Sequence, residues 1–135
     1  MRSLPGLLLC LLTGLGTPGQ ASARDTLEGD WKNRPNTLIV RIAPCGRALC
    51  GTVIGADDQA KQSVRRAGTP KLIGTRVLTG LHRSGPATYA GEVFNPNLNI
   101  HGSGTVTLVS PTVLIVRGCV LAGLICRQQH WTRIG

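Results

Sequence analysis

The chain is predicted to be all-β, a small eight-stranded antiparallel up-and-down β-barrel with one short helix in its long loop, and three observations lead there. Short runs suited to strands recur between turn signals at roughly eight-to-twelve-residue spacing, the mark of a sandwich or barrel. Most joints between these runs are tight, and tight turns can only connect antiparallel neighbours. Four cysteines fall in two close pairs, Cys45 with Cys50 and Cys119 with Cys126, each pair flanking a turn-like segment. A closed barrel removes its own strand edges. A two-sheet sandwich is the alternative for the same strands.

Gly29–Lys32 opens the series. Thr37–Ala43 alternates, with Leu38, Val40 and Ile42 on one face and Thr37, Ile39 and Arg41 on the other. Leu49–Ile54, Thr75–Leu81 and Ala87–Phe94 follow, and Thr105–Val109 again alternates, Val106 and Leu108 against Thr105 and Thr107. Pro111–Arg117 is β-branched and nearly all apolar, as a strand covered on both faces would be, and Ile125–Ile134 closes the set. Asn33-Arg34-Pro35-Asn36, Arg83-Ser84-Gly85-Pro86 and Ser110-Pro111 carry turn chemistry. The connection Gly55–Gly74 is longer and helix-compatible at its centre. Asp57 and Asp58 favour a helix N-terminus, Arg65 and Arg66 a C-terminus, and Gly68 and Pro70 a stop. Ala60, Val64 and Ala67 would form an apolar stripe able to lie on a barrel mouth, as a lid or as an ordinary crossover.

Residues 1–23 read as a signal peptide: Arg2, an apolar run over Leu4–Leu12 too short to span a bilayer, and Ala21-Ser22-Ala23 before Arg24. The rival, a lipid anchor at Cys10, would need a small preceding residue where Leu9 stands. A single domain over 24–135 follows, expected to be a monomer in the periplasm or secreted. Without Arg2 it holds 14 basic against 6 acidic residues, a balance that draws polyanions. Nucleic acid is not the expected partner, because export removes it and only Trp31, Tyr89, Phe94 and Trp131 could stack on bases. Anionic envelope lipid or an acidic small ligand suits the charge better, and plain solubility is the ordinary explanation. No later run is long and apolar enough to span a membrane.

An oxidising compartment makes disulfides the expected state of Cys45, Cys50, Cys119 and Cys126. Local pairing is geometrically simplest, and crossed pairings remain open because they would close longer loops. The cysteine spacings are not those of zinc sites, and His82, His101 and His130 are scattered, so no metal is expected. No cofactor fingerprint or nucleophile motif is present and no catalytic residue is assigned. An enzyme would need Glu92, the only acid inside a later strand, in a pocket beside His82 or His101. Arg127 and Arg133 share strand parity with Trp131, so all three face one side. An interior guanidinium must be paired or solvated: it could meet Glu92, stack across Trp31 at the barrel floor, or hold a ligand carboxylate. Arg117 poses the same question.

Gly29-Asp30-Trp31, Ile39-Val40-Arg41-Ile42-Ala43-Pro44-Cys45, Leu49-Cys50-Gly51, Gly91-Glu92-Val93-Phe94-Asn95-Pro96, Val116-Arg117-Gly118-Cys119 and Cys126-Arg127-Gln128-Gln129-His130-Trp131-Thr132-Arg133 resemble the bacterial domain of unknown function 2147 family, over about residues 27–133. Leu72-Ile73-Gly74 and Val77-Leu78-Thr79-Gly80-Leu81 extend the likeness. The resemblance implies an exported, lipocalin-like barrel whose base is closed by Trp31, Trp131 and Arg133. The chain departs from the family pattern in a shorter Gly55–Gly74 segment and in Asn97–Gly102. The combined expectation is a non-enzymatic barrel holding a small apolar or amphiphilic ligand, with Arg117, Arg127 and Glu92 as ligand-facing residues. The alternative is an envelope interaction protein that binds anionic lipid or a protein through its basic surface.

Overall fold

The computed structural model describes residues 26–135, together with Gly14. The signal peptide expected over 1–23 and the alternative at Cys10 lie outside the described residues. Eight strands and one helix follow in order: β1 (Gly29–Asn33), β2 (Leu38–Cys45), β3 (Ala48–Ala56), α1 (Asp58–Ala67), β4 (Arg76–Gly85), β5 (Thr88–Asn95), β6 (Ile100–Ser110), β7 (Val113–Val120) and β8 (Ile125–Arg133). Each strand pairs with its sequence neighbour, and β8 returns to β1, so the sheet is a closed antiparallel barrel rather than a sandwich. Trp31 is registered with Arg133, and Asn33 with Trp131, across that seam.

Alternation builds the interior. Val40 and Ile42 of β2, Val53 of β3, Val106 of β6 and Leu114 of β7 are buried, together with Trp31, Leu78 and Leu81. Several stretches differ from the sequence expectation, the earlier start of β6 at Ile100 among them. β4 runs on through His82-Arg83-Ser84 to Gly85, leaving only Pro86 and Ala87 as the turn, with Ala87 at φ 52°. Pro111 sits in the β6–β7 turn rather than in β7, as its missing N–H and fixed φ favour. β7 is not covered on both faces either: Leu114 and Val116 are buried, while Val113 and Ile115 are only half-buried on the outer side.

The up-and-down order sorts the connections between two ends. The base carries the β2–β3, β4–β5 and β6–β7 hairpins and the start of β1. The opposite end carries the β1–β2 turn, α1, and the β5–β6 and β7–β8 hairpins. Disulfides Cys45–Cys50 and Cys119–Cys126 staple one hairpin at each end, in the local pattern. At the helix end Asp57 caps α1, its carboxylate accepting from the Ala60 N–H at 2.7 Å, and Gly68 terminates it in a left-handed conformation, φ 108°. Val64 is buried beneath the helix while Arg65 and Arg66 face water.

Candidate functional site

The base is filled. Trp31 is fully buried and donates its indole N–H to the Leu27 carbonyl at 2.8 Å. The Arg133 guanidinium lies 4.3 Å from the Trp31 ring centre and donates to the carbonyls of Pro111, Glu28 and Thr26. Arg133 thus ties the last strand, the β6–β7 turn and the segment before β1 together over one indole face, a favourable cation–π geometry. Burial lowers its pKa from the ordinary guanidinium value, since desolvation disfavours the charged form.

Towards the helix end the interior is not filled. A cavity of about 1050 Å³ lies there, floored by Trp131, Val116 and Leu78 and bordered by Ala60, Ser63 and Val64 of α1. The register explains part of the space. Arg127 is paired with Gly118, which has no side chain to place beside it, whereas nearer the base Trp131 is paired with Leu114. A Cβ at Gly118 would meet only Val93, at an ordinary 3.4 Å. Asn33, buried at the rim, accepts the N–H groups of Thr37 and Leu38 through Oδ1 and donates to the Thr37 hydroxyl, which fixes the β1–β2 turn.

Among the lining residues Arg127 is the single charged one. Its parity places it on the cavity side with Trp131 and Gln129, whose Oε1 accepts the Trp131 indole N–H at 2.8 Å. Among the described residues neither of the two ion pairs, Arg41–Asp30 and His101–Glu92, involves Arg127. A guanidinium facing an otherwise apolar and amide-lined chamber is a ready partner for a carboxylate or another oxyanion.

Glu92 and Arg117, expected to face the ligand, do not line this cavity. Val93 and Val116 point inward, so the adjacent Glu92 and Arg117 project from the outer face, where both are exposed. Glu92 does meet a histidine: its carboxylate is 2.9 Å from His101 Nδ1, and the His101 ring stacks on Phe94 at 4.4 Å. This pair lies on an open outer depression with more than half of each side chain exposed, apart from Arg127, Gln129 and Trp131. His82 is exposed and contacts the Gly80 carbonyl. Sequence reasoning missed Asn33, Gln129 and Gly118 as site residues. For Gln129 and Gly118 the signal was available in their parity with Arg127 and Val116.

Among the described residues no helix is long and apolar enough to cross a membrane, and no three His, Cys, Asp or Glu side chains converge as a metal site. No curated protein matches the chain. One solved structure, described as "Protein HP1028 from the human pathogen Helicobacter pylori belongs to the lipocalin family", is similar with a TM-score of 0.63 at 17% identity, covering 82% of this chain and 84% of that one. That likeness is one of fold. The profile described as "Uncharacterized protein conserved in bacteria (DUF2147)" matches residues 29–133, so the chain belongs to the DUF2147 family, here a lipocalin-like barrel.

Proposed function

We propose that this barrel binds a small amphiphile, with the apolar part in the chamber and an anionic group on Arg127. The observation that carries the reading is the pairing of a cavity of about 1050 Å³, lined largely by apolar side chains, with one charged group that pairs with no carboxylate among the described residues. A chamber of this size is at the upper end of small-ligand sites, typically about 300–1000 Å³. We read the protein as a binder rather than an enzyme, because the Glu92–His101 pair stands on the outer face, apart from the chamber that would hold a ligand. Residues 1–23 direct export, and the protein works in the periplasm or as a secreted monomer, a setting that suits its two disulfides.

Titration with dodecanoate and dodecanol, followed by Trp131 fluorescence, tests this. Arg127→Met is expected to weaken dodecanoate by about tenfold or more, the range of a lost charge-assisted hydrogen bond, and to leave dodecanol unchanged. Val120→Phe, which extends a ring into the chamber, is expected to weaken both. Equal losses of both probes in Arg127→Met, or binding that survives a filled chamber, would refute the reading.

A further inference from the structure

The mouth of the barrel is more apolar than its base. Of eight large hydrophobic side chains exposed among the described residues, Ile73, Leu98, Ile100, Leu121, Leu124 and Ile125 lie at the helix end, and only Val109 and Ile134 at the base. Leu121 and Leu124, at the tip of the β7–β8 hairpin, are 65% and 85% exposed. Leu98 and Ile100, in the β5–β6 connection and at the start of β6, belong to the same end, because β6 and β7 are paired.

The hairpin tip runs against its own backbone preference. Leu121, Ala122 and Gly123 all take positive φ, at 54°, 56° and 87°. Glycine or asparagine would occupy the first two positions with less strain, and a branched leucine is among the poorer choices. Fold stability therefore gives no reason for Leu121, nor for the almost fully exposed Leu124. The Cys119–Cys126 disulfide holds the strands on either side.

Charge on this end has one sign in excess. The turn and helical connection of the mouth carry Arg34, Lys61, Arg65, Arg66 and Lys71 against Asp57 and Asp58. The basic C-terminus of α1 abuts the β5–β6 connection that carries Leu98: a Cβ at Gly68 would stand 3.3 Å from the Asn99 amide. Protruding leucines and exposed arginines on one end of the barrel match the two layers of an anionic bilayer surface, acyl boundary and phosphate.

We infer that the mouth docks on anionic lipid, Leu98, Leu121 and Leu124 entering the interface while Arg65 and Arg66 meet headgroup phosphates, which turns the opening of the chamber towards the membrane. The inference is independent of any chamber ligand. Co-sedimentation with phosphatidylcholine vesicles, with and without phosphatidylglycerol, tests it on the intact protein. Binding is expected only with phosphatidylglycerol and is expected to fall steeply with salt. The double variant Leu121→Asn and Leu124→Asn should bind about tenfold or more weakly, and should unfold no earlier than the parent because Asn tolerates the positive φ at position 121 and Leu124 buries almost nothing. Arg65→Glu with Arg66→Glu should lower binding at low salt by a similar factor. Unchanged binding in the asparagine variant would reduce the contact to charge adsorption and overturn the docking. Equal binding to both vesicle types would overturn it as well. So would a dimer that the asparagine variant dissociates, which would assign the rim to a second copy of the chain.

Discussion

Replacing Arg133 should destabilise the barrel more than replacing any other exposed or half-exposed cation. Its guanidinium donates to three carbonyls from separate segments, Thr26, Glu28 and Pro111, and stacks 4.3 Å from the Trp31 ring centre. A hydrogen bond from a charged donor contributes about 1.5–3 kcal/mol when well shielded, and about 1 kcal/mol is the suitable figure for a half-exposed side chain. The ring contact adds roughly 0.5–1 kcal/mol. Arg133→Met is therefore expected to lose about 3–4 kcal/mol, a large part of the ~5–15 kcal/mol typical of a domain. For a domain near this size, at ~4 °C per kcal/mol, the melting temperature should fall by roughly 12–16 °C. Arg133→Lys keeps the charge, but an ammonium cannot fork to three carbonyls on separate segments, so it should recover less than half. Urea unfolding of the two variants and of Arg127→Met, a control at a cation outside both ion pairs, measures the difference. A loss below about 1 kcal/mol for Arg133→Met, or full recovery by lysine, would refute the closure role.

Three further outcomes are expected. Gly91→Ala would place a Cβ 2.5 Å from the Thr79 carbonyl oxygen and 3.1 Å from the Gly80 carbonyl carbon, both backbone atoms, so thermal unfolding should show a loss of about 1–3 kcal/mol. Cys45→Ser with Cys50→Ser and Cys119→Ser with Cys126→Ser should each lose about 2–2.5 kcal/mol on the chain-entropy account. The two effects should add within about 0.5 kcal/mol, since the bridges sit at opposite ends; a large coupling would contradict that separation. The hydrogen bonds from Arg41 hold the Asp30 carboxyl below its ordinary range, against the smaller opposing effect of burial. A lowered folded-state pKa gives stability that is full above the unfolded value of about 3.9 and is lost as pH falls through the folded value. Asp30→Asn should therefore flatten the stability profile below about pH 4, and an unchanged acid limb in urea titrations at several pH values would contradict this.

The sequence was most legible where one face is wet and the other dry. Val40 and Ile42 against Arg41, and Val106 against Thr105, give a period of two that positions both strands. The helix was legible from its caps, Asp57 and Gly68, and from Val64 alone on its buried side. The start of β6 was not, because Gly102-Ser103-Gly104 has no apolar period and its strand state comes from pairing with β5 and β7. Arg117 shows how nearness in sequence misleads: two residues from Cys119, it points away from the chamber because Val116 and Gly118 flank it. Arg127 faces the chamber because it is four residues from Trp131 in an unbroken strand. The chamber itself could not be read from any one segment. Its volume depends on residues such as Val77, Val93, Gly118 and Arg127, brought together from strands far apart in the chain.

The seam between β1 and β8 has a kinetic consequence. The other strand pairs join sequence neighbours, six of the seven through short connections, and can form early, whereas this pair must bring Trp31 to Arg133 across nearly the whole described chain. Long-range pairing is slow because loop closure precedes its reward, so ring closure is expected to limit the folding rate. Until it closes, the nascent sheet has two free edges, β1 and β8, each a template for a neighbouring molecule. The Arg133 latch bears on the reverse step: by holding the end of β8 on Trp31 it keeps the closed ring from reopening into a sheet whose edges can meet another molecule.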